Sequence, residues 1–184
     1  HCDFHVTEAR TGRLSCREPN LQQVPGELHS LFIADEGKVL ITRDLSAIEP
    51  TLLGYYSEDE ALCNLLLNNG DFHSTNAKYA FGLECAENEV KTRYPELRKI
   101  AKTVGLAVLY GAGARRVYQS FIQAGLNNMS EEDAKRFVYN IRDLYSGVWK
   151  FKQELDRVLE GGDIVYNLLG RPFSVKPAQD VYMK

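Results

Sequence analysis

Short apolar runs bounded by turn residues lie near the two ends of the chain, and apolar residues fall at helical spacing through its middle. In the first zone, residues 1–52, Gly12, Pro19, Asn20, Pro25 and Gly26 punctuate the opening half, which reads as ordered loop. Ser30-Leu31-Phe32-Ile33-Ala34 and Lys38-Val39-Leu40-Ile41-Thr42-Arg43-Asp44-Leu45 then flank Asp35-Glu36-Gly37, a pattern that predicts a β-hairpin. On its second strand Leu40, Thr42 and Asp44 share one face. The second zone, residues 53–162, is helical. Ser57 and Glu60 predict a capping box ahead of Ala61 to Leu67. A short helix is expected through His73 to Phe81. Pro95 suits the first position of a helix running to about Tyr110 and stopped by Gly111 and Gly113. Further helices are predicted from Ala114 to Ala124, from Ser130 as cap to Leu144, and from Val148 to Glu160. In the third zone, residues 163–184, Ile164 to Leu168 and Phe173 to Val175 flank Gly170-Arg171-Pro172, a second hairpin. The predicted class is α+β: a partial antiparallel β platform carrying a mainly α-helical insertion.

Composition narrows the function. Apolar residues make up 44% and charged residues 26% of 184, which is globular and argues against disorder. No apolar run approaches the ~18 residues of a membrane span, so no membrane partner is expected. Cys2, Cys16, Cys63 and Cys85 contain no CxxC pair, so reduced thiols in an intracellular, cytoplasmic protein are expected rather than zinc or redox chemistry. The histidines form no HExxH pair, and no GxxxxGK[ST] phosphate loop is present. His1 to Arg10 does not read as a signal peptide. A start without Met and a stop at Lys184 suggest a piece of something longer.

The net charge of −3 gives no support to a nucleic-acid partner, but it is unevenly spread. Between Lys91 and Tyr118 stand seven basic residues against one acid, Glu96, so this segment carries +6. Arg98 and Lys102 are four apart on one helix face. Gly105 returns to nearly the same angle, with Leu106, Leu109 and Tyr110 close by. Two cations followed by a glycine and an apolar patch suit a nucleotide, phosphates at one end and base at the other. Asp44, beside Ser46 and Glu49, is a candidate strand-end carboxylate for Mg²⁺.

Taken together, five segments in order resemble one family. Thr11-Gly12-Arg13-Leu14-Ser15, Glu18-Pro19-Asn20-Leu21-Gln22 and Val24-Pro25 are similar to the TGRLSS-x-(D/E)PNLQN(I/V)P signature of family A, DNA polymerase I-like, DNA polymerases. Asp44-Leu45-Ser46-Ala47-Ile48-Glu49 resembles that family's DYSQIELR motif, and Gly70-Asp71-Phe72-His73-Ser74 its D(I/F)HT segment. The run from Arg98 to Gly111 resembles its RxxxKxxNFGxxYG helix, and Leu169-Gly170-Arg171 its (F/L)GRRR hairpin.

The resemblance implies a palm–fingers piece: residues 1–52 and 163–184 partial palm, residues 53–162 fingers. It implies template-directed addition of deoxynucleotides to a primer 3′ end by two-metal-ion nucleotidyl transfer, with primer–template DNA and deoxynucleoside triphosphates as partners. Asp44 would bind both Mg²⁺ ions, helped by the Leu45 carbonyl. Arg98 and Lys102 would grip the triphosphate, and Lys102 could also donate a proton to pyrophosphate. His73 would contact phosphate, Glu49 would crowd the sugar 2′ position, and Leu106 and Tyr110 would sit beside the bases. Arg13, Asn20 and Gln22 would touch DNA. An HDE-like second carboxylate triplet is absent from the chain, so this piece alone is expected to be inactive. Missing palm and thumb segments would come from the same or a second chain. Arg43, Leu45, Ala47, Pro50-Thr51 and Leu106 depart from the family pattern and mark a divergent member, as a viral polymerase acting in a host cytoplasm would be. A non-catalytic polymerase-like DNA- or nucleotide-binding module, or one half of a split polymerase, are the alternatives.

Overall fold

The computed structural model describes residues 2–6, 8 and 12–173. They divide into two compact units, His1–Leu45 and Ser46–Lys184.

In the first unit, β1 (Asp3–His5) pairs antiparallel with β2 (Ser15–Arg17), Phe4 opposite Cys16. Glu8 accepts from Ser15 Oγ at 2.8 Å and pairs with Arg17 at 3.1 Å, both on β2. Short 3₁₀ turns follow at Leu21–Gln23 and Gly26–Leu31. The hairpin predicted over residues 30–45 is not formed. Only its turn survives: Lys38 N–H donates to Asp35 O at 3.0 Å, and Gly37 takes the left-handed φ of +72°. The flanking residues form no ladder, and Ile33 and Ile41 are 85% and 88% exposed. A two-stranded ribbon that buries neither face does not offset the entropy of ordering it. Asp44 therefore lies in irregular chain, not at a strand end.

The second unit opens with an unpredicted helix, α1 (Ile48–Ser57), entered through left-handed Ala47. The cap of α2 (Glu60–Leu67) is Asp59, not Ser57. Asp59 Oδ1 accepts from Leu62 N–H at 2.8 Å, while Ser57 Oγ donates to Leu53 O at 2.7 Å within α1. Next come α3 (Phe72–Phe81), a short unpredicted α4 (Glu87–Arg93) and α5 (Pro95–Leu109). α5 begins with its proline and ends at Gly111, whose φ is +101°. There Gly111 N–H donates to Val108 O and Ala112 N–H to Ala107 O, a Schellman stop. α6 (Ala114–Gln123), α7 (Glu131–Leu144) and α8 (Ser146–Glu160) complete the bundle, α7 with the predicted Ser130 cap.

The core gathers apolar side chains from α2, α3 and α5 to α8. Fully buried Phe121 and Phe137 pack with half-buried Phe81, ring centroids 5.1–5.9 Å apart, edge-on or tilted. After α8, β3 (Val165–Tyr166) pairs antiparallel with β4 (Pro172–Phe173). The second hairpin thus forms, its turn held by Asn167 Oδ1 accepting from Leu169 and Arg171 N–H. Val175, predicted to extend it, lies outside the described residues. The result is a mainly helical chain with small antiparallel pairings near both ends, as the α+β reading expected.

Candidate functional site

The sequence of α5 separates its faces. Ile100, Ala101, Val104, Gly105, Val108 and Leu109 form a buried stripe, while Lys99, Lys102 and Thr103 face solvent. Leu109 belongs to the core, so of the apolar patch expected beyond Gly105 only half-buried Leu106 and Tyr110, 58% exposed, reach the surface.

α3 packs against this helix and brings His73 to Arg98 and Lys102. Asp71 begins α3 as its cap, its Oδ1 accepting from His73 N–H at 3.1 Å and Ser74 N–H at 3.2 Å. The same carboxylate takes the Arg98 guanidinium in a fork, Nη2 at 2.7 and 2.9 Å and Nε at 3.1 Å. Ser74 Oγ closes the ring: it donates to Asp71 Oδ2 at 2.8 Å and accepts from Arg98 Nε at 3.0 Å. Partial burial works against the Asp71 charge, but the bonds from Ser74 and Arg98 outweigh it and hold its pKa below the usual value. Arg98 is thus oriented before any ligand arrives. Lys102, one turn on, is exposed and has no ion-pair partner among the described residues.

Burial lowers the pKa of His73; Asp71 opposes this, and Arg98 and Lys102 add to it. The imidazole is therefore neutral at pH 7, with a buried Nδ1 that has no partner among the described residues. A histidine depressed on folding contributes stability that is whole above its unfolded pKa, ~6.5, and declines as pH falls below it. The thermal midpoint is accordingly expected to drop further between pH 7.5 and 5.5 in the parent chain than in a His73→Gln variant. Equal drops, read by circular dichroism, would refute the assignment.

Glu49 is half-buried in the first turn of α1, and Tyr110 caps the end of α5. In the first unit, Arg13 is exposed. Asn20 Oδ1 accepts from Gln22 N–H at 3.1 Å, and Gln22 Nε2 donates to Leu14 O at 3.1 Å. The second bond ties the Leu21–Gln23 turn back to Leu14, the neighbour of Arg13 ahead of β2. Asp44 and Leu45 are exposed. The carboxylate of Asp44 and the carbonyl of Leu45 are hard oxygen donors of the kind Mg²⁺ takes, together with substrate phosphates. Among the described residues no group of three His, Cys, Asp or Glu could hold a metal ion. No helix among the described residues is long and apolar enough to cross a membrane.

Asp71 and Ser74 were in view in the sequence as part of a motif, but their grip on Arg98 was not. The signal available was Asp71 as a helix cap; the pairing spans 27 residues and follows from how α3 lies on α5.

A family model described as DNA polymerase family A matches residues 1–180. DNA polymerase I of Treponema pallidum is 30% identical over 177 residues, 93% of this chain and 17% of its own length. The thermostable DNA polymerase I of Thermus filiformis is 33% identical over 180 residues, 93% of this chain and 20% of its own. The chain spans about a fifth of the length of these relatives. Among solved structures, the POL domain of Pol1 from M. smegmatis, in complex with DNA primer-template and dNTP, aligns with a TM-score of 0.76 and 29% identity over 95% of this chain and 30% of that one.

Proposed function

The chain belongs to DNA polymerase family A, and from that premise we propose that it supplies the nucleotide-binding fingers and the first metal carboxylate of a template-directed DNA polymerase. The observation that carries the proposal is the α3–α5 corner, where pre-oriented Arg98 and exposed Lys102 stand together beside His73. Arg98 and Lys102 neutralise and orient the incoming triphosphate. Lys102, with no ion-pair partner among the described residues, can follow the pyrophosphate and give it a proton. His73, neutral, can donate one N–H to a phosphate oxygen. Leu106 and Tyr110 flank the base, and Glu49 limits space at the sugar. Asp44 and the Leu45 carbonyl would hold Mg²⁺, which when bound stabilises the attacking 3′-oxygen and the leaving pyrophosphate. Arg13, Asn20 and Gln22 position primer–template DNA through its backbone. A second metal carboxylate would come from segments outside this chain.

The test is single-turnover primer extension. The complete polymerase with Asp44→Asn should lose at least roughly 100-fold in rate, the scale of removing one electrostatic stabiliser of the transition state. The 184-residue chain alone should not extend a primer. Robust extension by the chain alone, or full activity of Asp44→Asn, would contradict the proposal.

Leu106 provides a smaller effect. It stands where the family motif carries an aromatic residue, and a leucine lacks the face on which a base or sugar stacks. Leu106→Phe in the complete enzyme is expected to tighten nucleotide binding by roughly 3- to 10-fold, part of a full stacking contribution, and to change the choice between deoxy and dideoxy substrates. Unchanged nucleotide affinity and dideoxy selection would exclude this role.

A further inference from the structure

α3 and α5 meet closely at Asn76 and Gly105. A Cβ placed on Gly105 would lie 2.8 Å from Asn76 Nδ2, nearer than side chains tolerate. The amide cannot swing aside. Asn76 is fully buried, and its Oδ1 accepts from Tyr145 OH at 2.8 Å. Tyr145 is itself buried and stacks on Phe72 with centroids 5.9 Å apart. Asn76 Nδ2 has no hydrogen-bond partner among the described residues. Two local costs therefore coincide: a glycine inside a helix and an unsatisfied buried amide. Gly105 sits three residues beyond Lys102, seven beyond Arg98 and next to Leu106, so the approach of α5 to α3 at this point governs all three.

We infer that Asn76 is a positioning residue: seated in the notch at Gly105, it sets the distance of α5 from α3 and with it the placement of Arg98, Lys102 and Leu106. This rests on the proposed triphosphate role of that face.

The test is a double-mutant cycle of Gly105→Ala and Asn76→Ala in the 184-residue chain. It is read by the Arg98 Nε–H resonance in ¹⁵N NMR and by calorimetric titration with dATP and Mg²⁺. Gly105→Ala alone should move the resonance and weaken dATP binding by about 5-fold or more, as a small misplacement of binding groups does. With Ala already at position 76, the same change should leave the resonance in place and alter affinity by less than about 2-fold, the non-additivity of residues in contact. Equal effects in both backgrounds would overturn the inference. Should Gly105→Ala fail to fold, Asn76→Ala decides alone: with helix content unchanged, a moved resonance supports the notch and an unmoved one overturns it. A parent chain that does not bind dATP overturns the functional reading, while the resonance still judges the notch.

Discussion

Replacing Arg98 and Lys102 together by alanine is expected to weaken triphosphate binding about 100-fold, with roughly 10-fold from Lys102→Ala alone. Hydrogen bonds to charged groups are worth roughly 1.5–3 kcal/mol, and each 1.4 kcal/mol is a factor of ten. The lower end applies because Lys102 is exposed and water screens it. Arg98 already holds Asp71, so a triphosphate must share or displace that carboxylate, which reduces the gain from its charge. Two controls separate binding from folding. Asp71 retains solvent access when Arg98 is removed, so the thermal midpoint should move little. Arg98→Lys keeps the charge but loses the fork, and should recover only part of the affinity. Equilibrium titration with dATP at two salt concentrations checks all of this, since binding through phosphate weakens as salt rises. Undiminished binding by the double variant would remove the α5 face from the site.

Asp59→Ala is expected to have the largest effect on folding. This buried carboxylate accepts from Leu62 N–H at the start of α2, and from Gly147 N–H at 2.7 Å and Val148 N–H at 3.3 Å at the start of α8. One side chain thus caps two helices whose positive ends both favour its charge. Removing it leaves donors unmatched at both ends and should cost roughly 2–4 kcal/mol, a caps-and-hydrogen-bonds sum. For a chain of this size that lowers the thermal midpoint by about 5–15 °C. Gly147→Ala attacks the same junction from the other side, because its Cβ would meet Asp59 Oδ2 at 2.8 Å and Cα at 3.0 Å. A midpoint for Asp59→Ala equal to the parent's, followed by circular dichroism, would refute the double cap.

The helices that were legible carry their own punctuation. α5, α6, α7 and α8 pair an apolar stripe with a local stop or start: Pro95 and Gly111, Gly125, Ser130, and Gly161-Gly162. α1 was not legible because it starts at Ala47 with no side-chain cap and carries Pro50 and Gly54, which both lie buried in the fold. α4 has seven residues, too few for a period to show. The sequence pattern reads a capping box at Ser57, whereas the cap is Asp59, a carboxylate also held by the start of α8, 88 residues away, which no local pattern shows. The predicted strands around Gly37 were short apolar runs on either side of a real turn, but an apolar run marks a surface that needs covering and does not supply the cover. The candidate site follows the same rule. Arg98 and Lys102 were legible from a spacing of four on one helix. The Asp71–Ser74 ring and the Asn76 seat at Gly105 were not, because both depend on how α3 lies on α5.

The most direct test of this account is a ¹⁵N NMR titration of the 184-residue chain with dATP and Mg²⁺. The account predicts saturable shifts with one dissociation constant at His73, Arg98, Lys102 and Leu106. Shifts confined instead to Arg115, Arg116 and Gln119, which line a separate groove of about 470 Å³ on α6, or scattered over all exposed cations, would contradict it.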